Sequence, residues 1–204
     1  MSVKRKPSAT ITYPQTLKLR QGRSVTVRLM VPEDASVLHA FFRHIPEEDL
    51  LFLRRDVTDR AVIDAWARDV GAGQIATLLA EANGRVVGEA SIHHGRVPWS
   101  RHVGEIRVVV DSEHRRLGLG SALVQQVFLL ALEQGIEKIV AEMTPDQLGA
   151  INAFQKLGFR AEGLFRAHVR DRRGVKRDLV VKAHEIEIES GVLAQYGVTD
   201  AMEP

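Results

Sequence analysis

The stretch that constrains this chain most is Glu113–Val124, EHRRLGLGSALV. Two arginines and two glycines fall within six residues, and the chain then turns apolar. Upstream lies GEIRVVV, residues 104–110, whose β-branched alternation predicts a strand. Downstream the pattern predicts a helix from about Gly120 to Gln134, closed by Gly135. A helix N-terminus exposes unpaired N–H groups and carries partial positive charge. Glycines there let main chain approach a ligand closely and tolerate positive φ. The junction therefore predicts a cradle for phosphate oxygens, with Arg115 and Arg116 adding charge-assisted contacts. It is not a Walker loop, because no lysine follows the glycines, and it lacks the third glycine of a dinucleotide fingerprint. The spacing is Arg-x-x-Gly-x-Gly.

The rest of the chain predicts the surroundings of that junction. SVTVRLM (24–30) reads as a strand, and Pro32-Glu33-Asp34 opens a helix ended by Pro46. EEDLLFLRRDVTD reads as a short helix and a turn, and Asp59 caps a second helix to about Val70. Gln74–Glu81 and Arg85–His94 flank Asn83-Gly84, a strong hairpin signal. KIVAEM (138–143) reads as a strand, and Pro145-Asp146 introduces a helix to Leu157 with Gly158 at its end. Two further strands surround the turn Asp171–Gly174. Hairpins and single crossovers alternate. This predicts an α/β (α+β) domain with a mixed, mostly antiparallel sheet of about six or seven strands and helices on both faces. Residues 1–22 read as an N-terminal arm, 23–185 as the domain and 186–204 as a tail.

Composition narrows the chemistry. The 204 residues carry a net charge of +2 and include no cysteine, which excludes disulfides, thiolate nucleophiles and the usual zinc knuckles; no metal is expected. No apolar run approaches a membrane span and no signal peptide is evident, so a soluble, cytoplasmic protein is expected. The basic runs VKRK, HRR and VRDRRGVKR read as solvated faces. Aromatics are only 5% of residues and form no stacking platform, which argues against nucleic acid as a partner.

Taken together, VRLMVPEDASVL, VVVDSEHRRLGLGSALV and AINAFQKLGFRAEG resemble, in this order, the GNAT superfamily of acetyl-CoA-dependent N-acetyltransferases, and looser features resemble its protein-lysine-acetylating branch. The likeness runs from about Val25 to Ala183. It implies acetyl-CoA as cosubstrate, bound by the loop Arg115, Arg116, Leu117, Gly118, Leu119, Gly120, Ser121 and Ala122, with its pyrophosphate held by main-chain amides from about Gly118 to Ala122. It implies that the strands at 104–110 and 138–143 splay apart, so that Val108, Val109 and Val110 line the pantetheine arm. Gln147 stands where asparagine is common in the family, and Phe154 where many members carry the tyrosine that protonates the departing thiolate. Dimerisation is common in such folds.

The implied reaction is direct attack of a primary amine, on a protein lysine or a small molecule, on the thioester. An exposed lysine amine has a pKa of about 10.4, so a base must remove its proton or the site must select the neutral form. Glu105, early in the splayed strand, is the leading candidate, its alternative being an exposed strand glutamate that pairs with Arg107 or a neighbour; Glu89 and Glu142, on the flanking strands, are the others. His93, His94 and His102 lie near strand ends and are of a type that titrates near neutrality. Acidic Glu47, Glu48 and Asp49 read as a charge cluster at a helix N-terminus, or alternatively as a group that attracts a cationic amine. The alternative to an enzyme is a module that senses acyl-CoA without turnover, which the phenylalanine at 154 suggests.

Overall fold

The computed structural model describes residues 11–50, 53, 55–95, 97–170 and 174–186. The strands are β1 (Gln15–Lys18), β2 (Ser24–Leu29), β3 (Ile75–Ala82), β4 (Arg85–His94), β5 (Val103–Val110), β6 (Lys138–Met143), β7 (Arg160–Arg170) and β8 (Lys176–Glu185). The helices are α1 (Ala35–His44), α2 (Arg60–Gly71), α3 (Leu119–Glu133) and α4 (Leu148–Lys156). The strands form one sheet in the order β1-β2-β3-β4-β5-β6-β8-β7. Every neighbouring pair is antiparallel except β5 and β6, which run parallel.

The expected mixed sheet with helices on both faces is present, but six or seven strands is corrected to eight. The additional strand is β1, which pairs with β2 from within the stretch expected to be an arm. Four residues at a sheet edge carry too little alternation to stand out from polar sequence. The short helix expected after Pro46 is a single 3-10 turn, Glu47–Asp49. The turn at 171–173, the tail beyond 186 and the VKRK run lie outside the described residues.

Local chemistry explains the elements. Asn83 and Gly84 both take positive φ, 51° and 72°, as a type I′ hairpin requires. Asp59 caps α2 by accepting from Ala61 N at 2.9 Å. Asp34, expected to favour the start of α1 by charge, instead receives both terminal nitrogens of Arg28 at 2.6 and 2.9 Å and caps Val31 N. Arg28 also reaches Glu81, tying β2 to β3 and to the entry of α1.

Each face of the sheet has its own core. On one, α3 packs its buried Leu119, Leu123, Val127 and Phe128 against Val87, Ala90, Ile92 and Ile139. On the other, α1 and α2 bring Leu38, Phe41, Phe42, Ile63 and Trp66 onto Leu79, Val86 and Val109. Gly104 marks a close approach in the first core, for an added Cβ would lie 2.6 Å from Ile92 Cδ1 and 2.9 Å from its Cγ1. Gly104→Ala is expected to destabilise the fold by about 1–3 kcal/mol through overpacking, read as a lower denaturation midpoint at unchanged m-value.

Candidate active site

β5 and β6 stay together only briefly. Their pairing runs from Val103 with Lys138 to Glu105 with Val140 and then ends, although both strands continue. Main-chain direction on β5 follows from its contacts with β4. Gly95 N donates to Val103 O at 3.1 Å, and Asp111 N donates to Val87 O at 3.0 Å. Between these ends the ladder with β4 is uninterrupted, so residues 105, 107 and 109 turn their amides toward β4. Val108 and Val110 turn theirs the other way, into the opening. The Val110 carbonyl accepts from Arg115 Nε at 3.2 Å. Val109 therefore faces β4 with its main chain and the α1/α2 core with its side chain.

The glycine loop closes one end of that opening. Arg116 and Gly118 both adopt left-handed φ, 61° and 93°, and α3 begins at Leu119. Ala122 N, bonded to Gly118 O at 3.0 Å, is the first amide of the helix with a helical acceptor, which leaves those of the first turn directed outward. Nothing lies within 4 Å of where a Gly118 Cβ would sit. Leu117 and Leu119 are buried and anchor the loop, and Leu117 O accepts from Arg20 N at 2.9 Å. Ser121 is exposed and Ala122 half-buried. Arg115 does not point its charge at open space alone: besides Val110 O it pairs with Asp49. That contact places Asp49 of the acidic cluster against the loop. The donors, the open volume and the diverging strands fit a diphosphate followed by an extended arm.

Gln147 sits at the N-cap of α4, where its Oε1 accepts from Thr144 N at 3.3 Å. Phe154 is buried, with its ring 5.0 Å from that of Phe159 and nearly perpendicular to it. It is a core residue and has no proton to donate. Tyr13 donates to Gln126 Oε1 at 3.1 Å under α3, where burial pushes its phenol well above the ordinary range; Tyr196 lies outside the described residues.

On the α1/α2 side of the fork is a cavity of about 430 Å³. Glu105, Arg107, His93, His94 and Glu142 contribute to its wall, with Trp66 and Val62 from α2 and Arg55 from the preceding loop. Glu105 occupies the last paired position before the strands part, and its carboxylate accepts from Arg107 Nε at 2.8 Å. Of the three glutamates expected as bases, Glu105 and Glu142 are brought together here. Glu89 is not; it is fully buried, does not line the cavity, and neither oxygen has a hydrogen-bond partner. His102 is exposed and away from this wall. Sequence reasoning missed Arg55 and Ser91; the one usable signal, for Ser91, was polar residues at alternate positions of an otherwise apolar β4.

Burial pushes the Glu89 carboxyl up to about 8, against the opposing pull of the Ser91 hydroxyl and the Arg107 charge. The folded protein thus binds this proton more tightly than the unfolded chain does. Its contribution is fully present below about 4.5 and is lost as pH rises through about 8. Glu89→Gln is expected to flatten the decline in thermal midpoint across that window and to raise the midpoint at pH 9.

A family model, acetyltransferase (GNAT) family, matches residues 39–159, more than half of the chain and all of the fork and its loop. The chain belongs to the acetyltransferase (GNAT) family. Human N-acetyltransferase 8 is 41% identical over 54 residues, covering 26% of this chain and 24% of that protein. N-acetyltransferase 8B of Rattus norvegicus is 29% identical over 115 residues, 55% of this chain and 50% of that protein. This GNAT chain thus spans about half or less of the curated relatives it matches. Among solved structures, yncA of Salmonella typhimurium, described with its cofactor acetyl-CoA, superposes with a TM-score of 0.71 at 22% identity, over 81% of this chain and 96% of that one. That likeness confirms the GNAT fold. Among the described residues no group of three or more His, Asp or Glu side chains could hold a metal, and no helix is long and apolar enough to cross a membrane.

Proposed function

We propose that this GNAT protein transfers an acetyl group from acetyl-CoA to a primary amine by direct attack. The observation that carries the reading is the fork: strands that part after Glu105, with the open first turn of α3 at one end and an acid-bearing cavity beside it. Main-chain N–H groups from about Gly118 to Ala122 would hold the pyrophosphate, and the outward amides of Val108 and Val110 would pair with the pantetheine arm. When bound, acetyl-CoA supplies an activated thioester.

The chain's own residues supply the rest. A main-chain N–H near Val108 would polarise the thioester carbonyl as an oxyanion donor does. Glu105 holds the acceptor ammonium at the fork and removes its proton. Glu142, on the facing strand, adds negative potential to the same cavity. Phe154 offers the departing sulfur no proton, but a thiol with a pKa of about 8.5 leaves readily as thiolate or takes a proton from water. No cysteine exists to carry a thioester-linked acetyl-enzyme.

The acceptor is a protein lysine or a small-molecule amine. Thiol release measured against small amines, amino acids and lysine peptides tests the reading. Turnover with at least one amine is expected. Tight acetyl-CoA binding without turnover on any of them would instead establish an acyl-CoA sensor.

A further inference from the structure

Glu89, Ser91 and His93 are alternate residues of β4, so all three share the α1/α2 face. Ser91 is buried, and its Oγ is hydrogen-bonded to His93 Nε2 at 3.1 Å. His93 lines the cavity, its ring held edge-on to Trp66 at 5.2 Å, and Trp66 Nε1 donates to Thr77 Oγ1 at 2.9 Å. Across the ladder, Glu105 is the partner of His93 and Arg107 the partner of Ser91. Directly opposed side chains of this kind start about 5 Å apart at Cβ. Glu89 is fully buried and neither oxygen is hydrogen-bonded in this resting arrangement, while the Ser91 hydroxyl is the neighbouring polar group that acts on its carboxyl.

We propose that Glu89, Ser91 and His93 form the proton-accepting row of the transfer reaction: the proton that Glu105 takes from the amine passes to His93 and, through the Ser91 hydroxyl, to Glu89. The row rests on the transferase reading above. The ammonium N–H bond breaks and an O–H bond forms on Glu105. The imidazole takes that proton on one nitrogen and releases the proton of Nε2 to the Ser91 oxygen, whose own proton moves to Glu89. One proton travels, Glu105 returns to its carboxylate and Glu89 becomes neutral; after the product leaves, the proton goes back along the same row to the solvent of the cavity, which restores the Glu89 carboxylate and the His93 tautomer.

The surroundings favour that end point. Burial gives Glu89 a proton affinity above that of an ordinary carboxylate, with a value of about 8. The titratable or charged groups facing the row are Arg107 and Glu105 from β5, Glu142 from β6, Arg55 from the loop before α2, and His94 beside His93. Its β3 and β5 neighbours, Leu79 and Val109, and the buried residues of α1 and α2 are apolar. Because Glu89 must be ionised to receive a proton, kcat/KM of the wild type is expected to rise with pH and level off above about 8.

The test is that pH profile in the wild type, Glu89→Gln and Ser91→Ala, with the infrared carbonyl band of a protonated carboxyl followed alongside. Glu89→Gln is expected to lower the alkaline plateau at least about tenfold and to remove the limb near pH 8, although its stability at that pH rises. Ser91→Ala is expected to give the same kinetic loss while the carbonyl band still titrates. Superimposable profiles for wild type and Glu89→Gln would overturn the row and leave the transferase reading standing, as would a wild type without a protonated-carboxyl band at pH 6. A wild type that binds acetyl-CoA but acetylates no amine would end both.

Discussion

Gly118→Asp is expected to weaken acetyl-CoA binding by about 100-fold or more, equivalent to about 2.7 kcal/mol, in a protein that remains folded. Gly118 has φ 93° and ψ −5°, a conformation that costs an L-residue about 1–2 kcal/mol, and aspartate is among the residues that tolerate it best. No atom lies within 4 Å of the new Cβ, so the substitution meets no packed core. What it meets is the position proposed for the pyrophosphate, where a carboxylate both occupies space and repels charge. Gly118→Asn separates the two effects, being nearly the same size without the charge. It is expected to lose about tenfold, a backbone and steric cost of about 1.4 kcal/mol. Calorimetric titration of both variants, with denaturation midpoints in parallel, checks the result. Equal, wild-type-like affinities would make the loop an ordinary turn.

Glu105→Gln is expected to lower kcat/KM by about 100-fold while leaving the acetyl-CoA dissociation constant unchanged. The separation follows from geometry. Glu105 faces the cavity on the α1/α2 side, whereas the proposed diphosphate cradle lies at the first turn of α3. Glutamine retains an oxygen to accept from Arg107 Nε, so the 2.8 Å contact survives in neutral form and the strand stays in place. What disappears is the charge that holds an ammonium and the site that takes its proton. Glu142→Gln, altering the other carboxylate of the same wall, is expected to cost less, because Glu142 lies on β6 beyond the last position paired with β5. A larger loss from Glu142→Gln than from Glu105→Gln would transfer the base assignment to β6.

Legibility in the sequence followed how local each signal was. The hairpin at Asn83-Gly84, the cap at Asp59 and the strand–glycine–helix junction were readable because each is fixed within a few residues. The parting of β5 and β6 was not local, and only likeness to a family supplied it. β1 escaped because four residues at a sheet edge give almost no period. Asp49 meets Arg115 across 66 positions, so no local reading places the acidic cluster beside the glycine loop. The spacing of Glu89, Ser91 and His93 does put them on one face of a strand. That this face looks into a cavity shared with Glu105 depends on strand order and on α2 delivering Trp66. Phe154 shows the converse. Its departure from the family pattern was visible in the sequence, but its place in the core beside Phe159 required the fold.

The account stands on main-chain donors at the start of α3 and on the outward amides of β5. Amide NMR during titration with acetyl-CoA addresses both at once. Resonances of Gly118–Ala122 and of Val108 and Val110 are expected to shift together and saturably, while Val109, turned toward β4, moves less. Saturable binding that leaves those amides in place and perturbs another surface would contradict it.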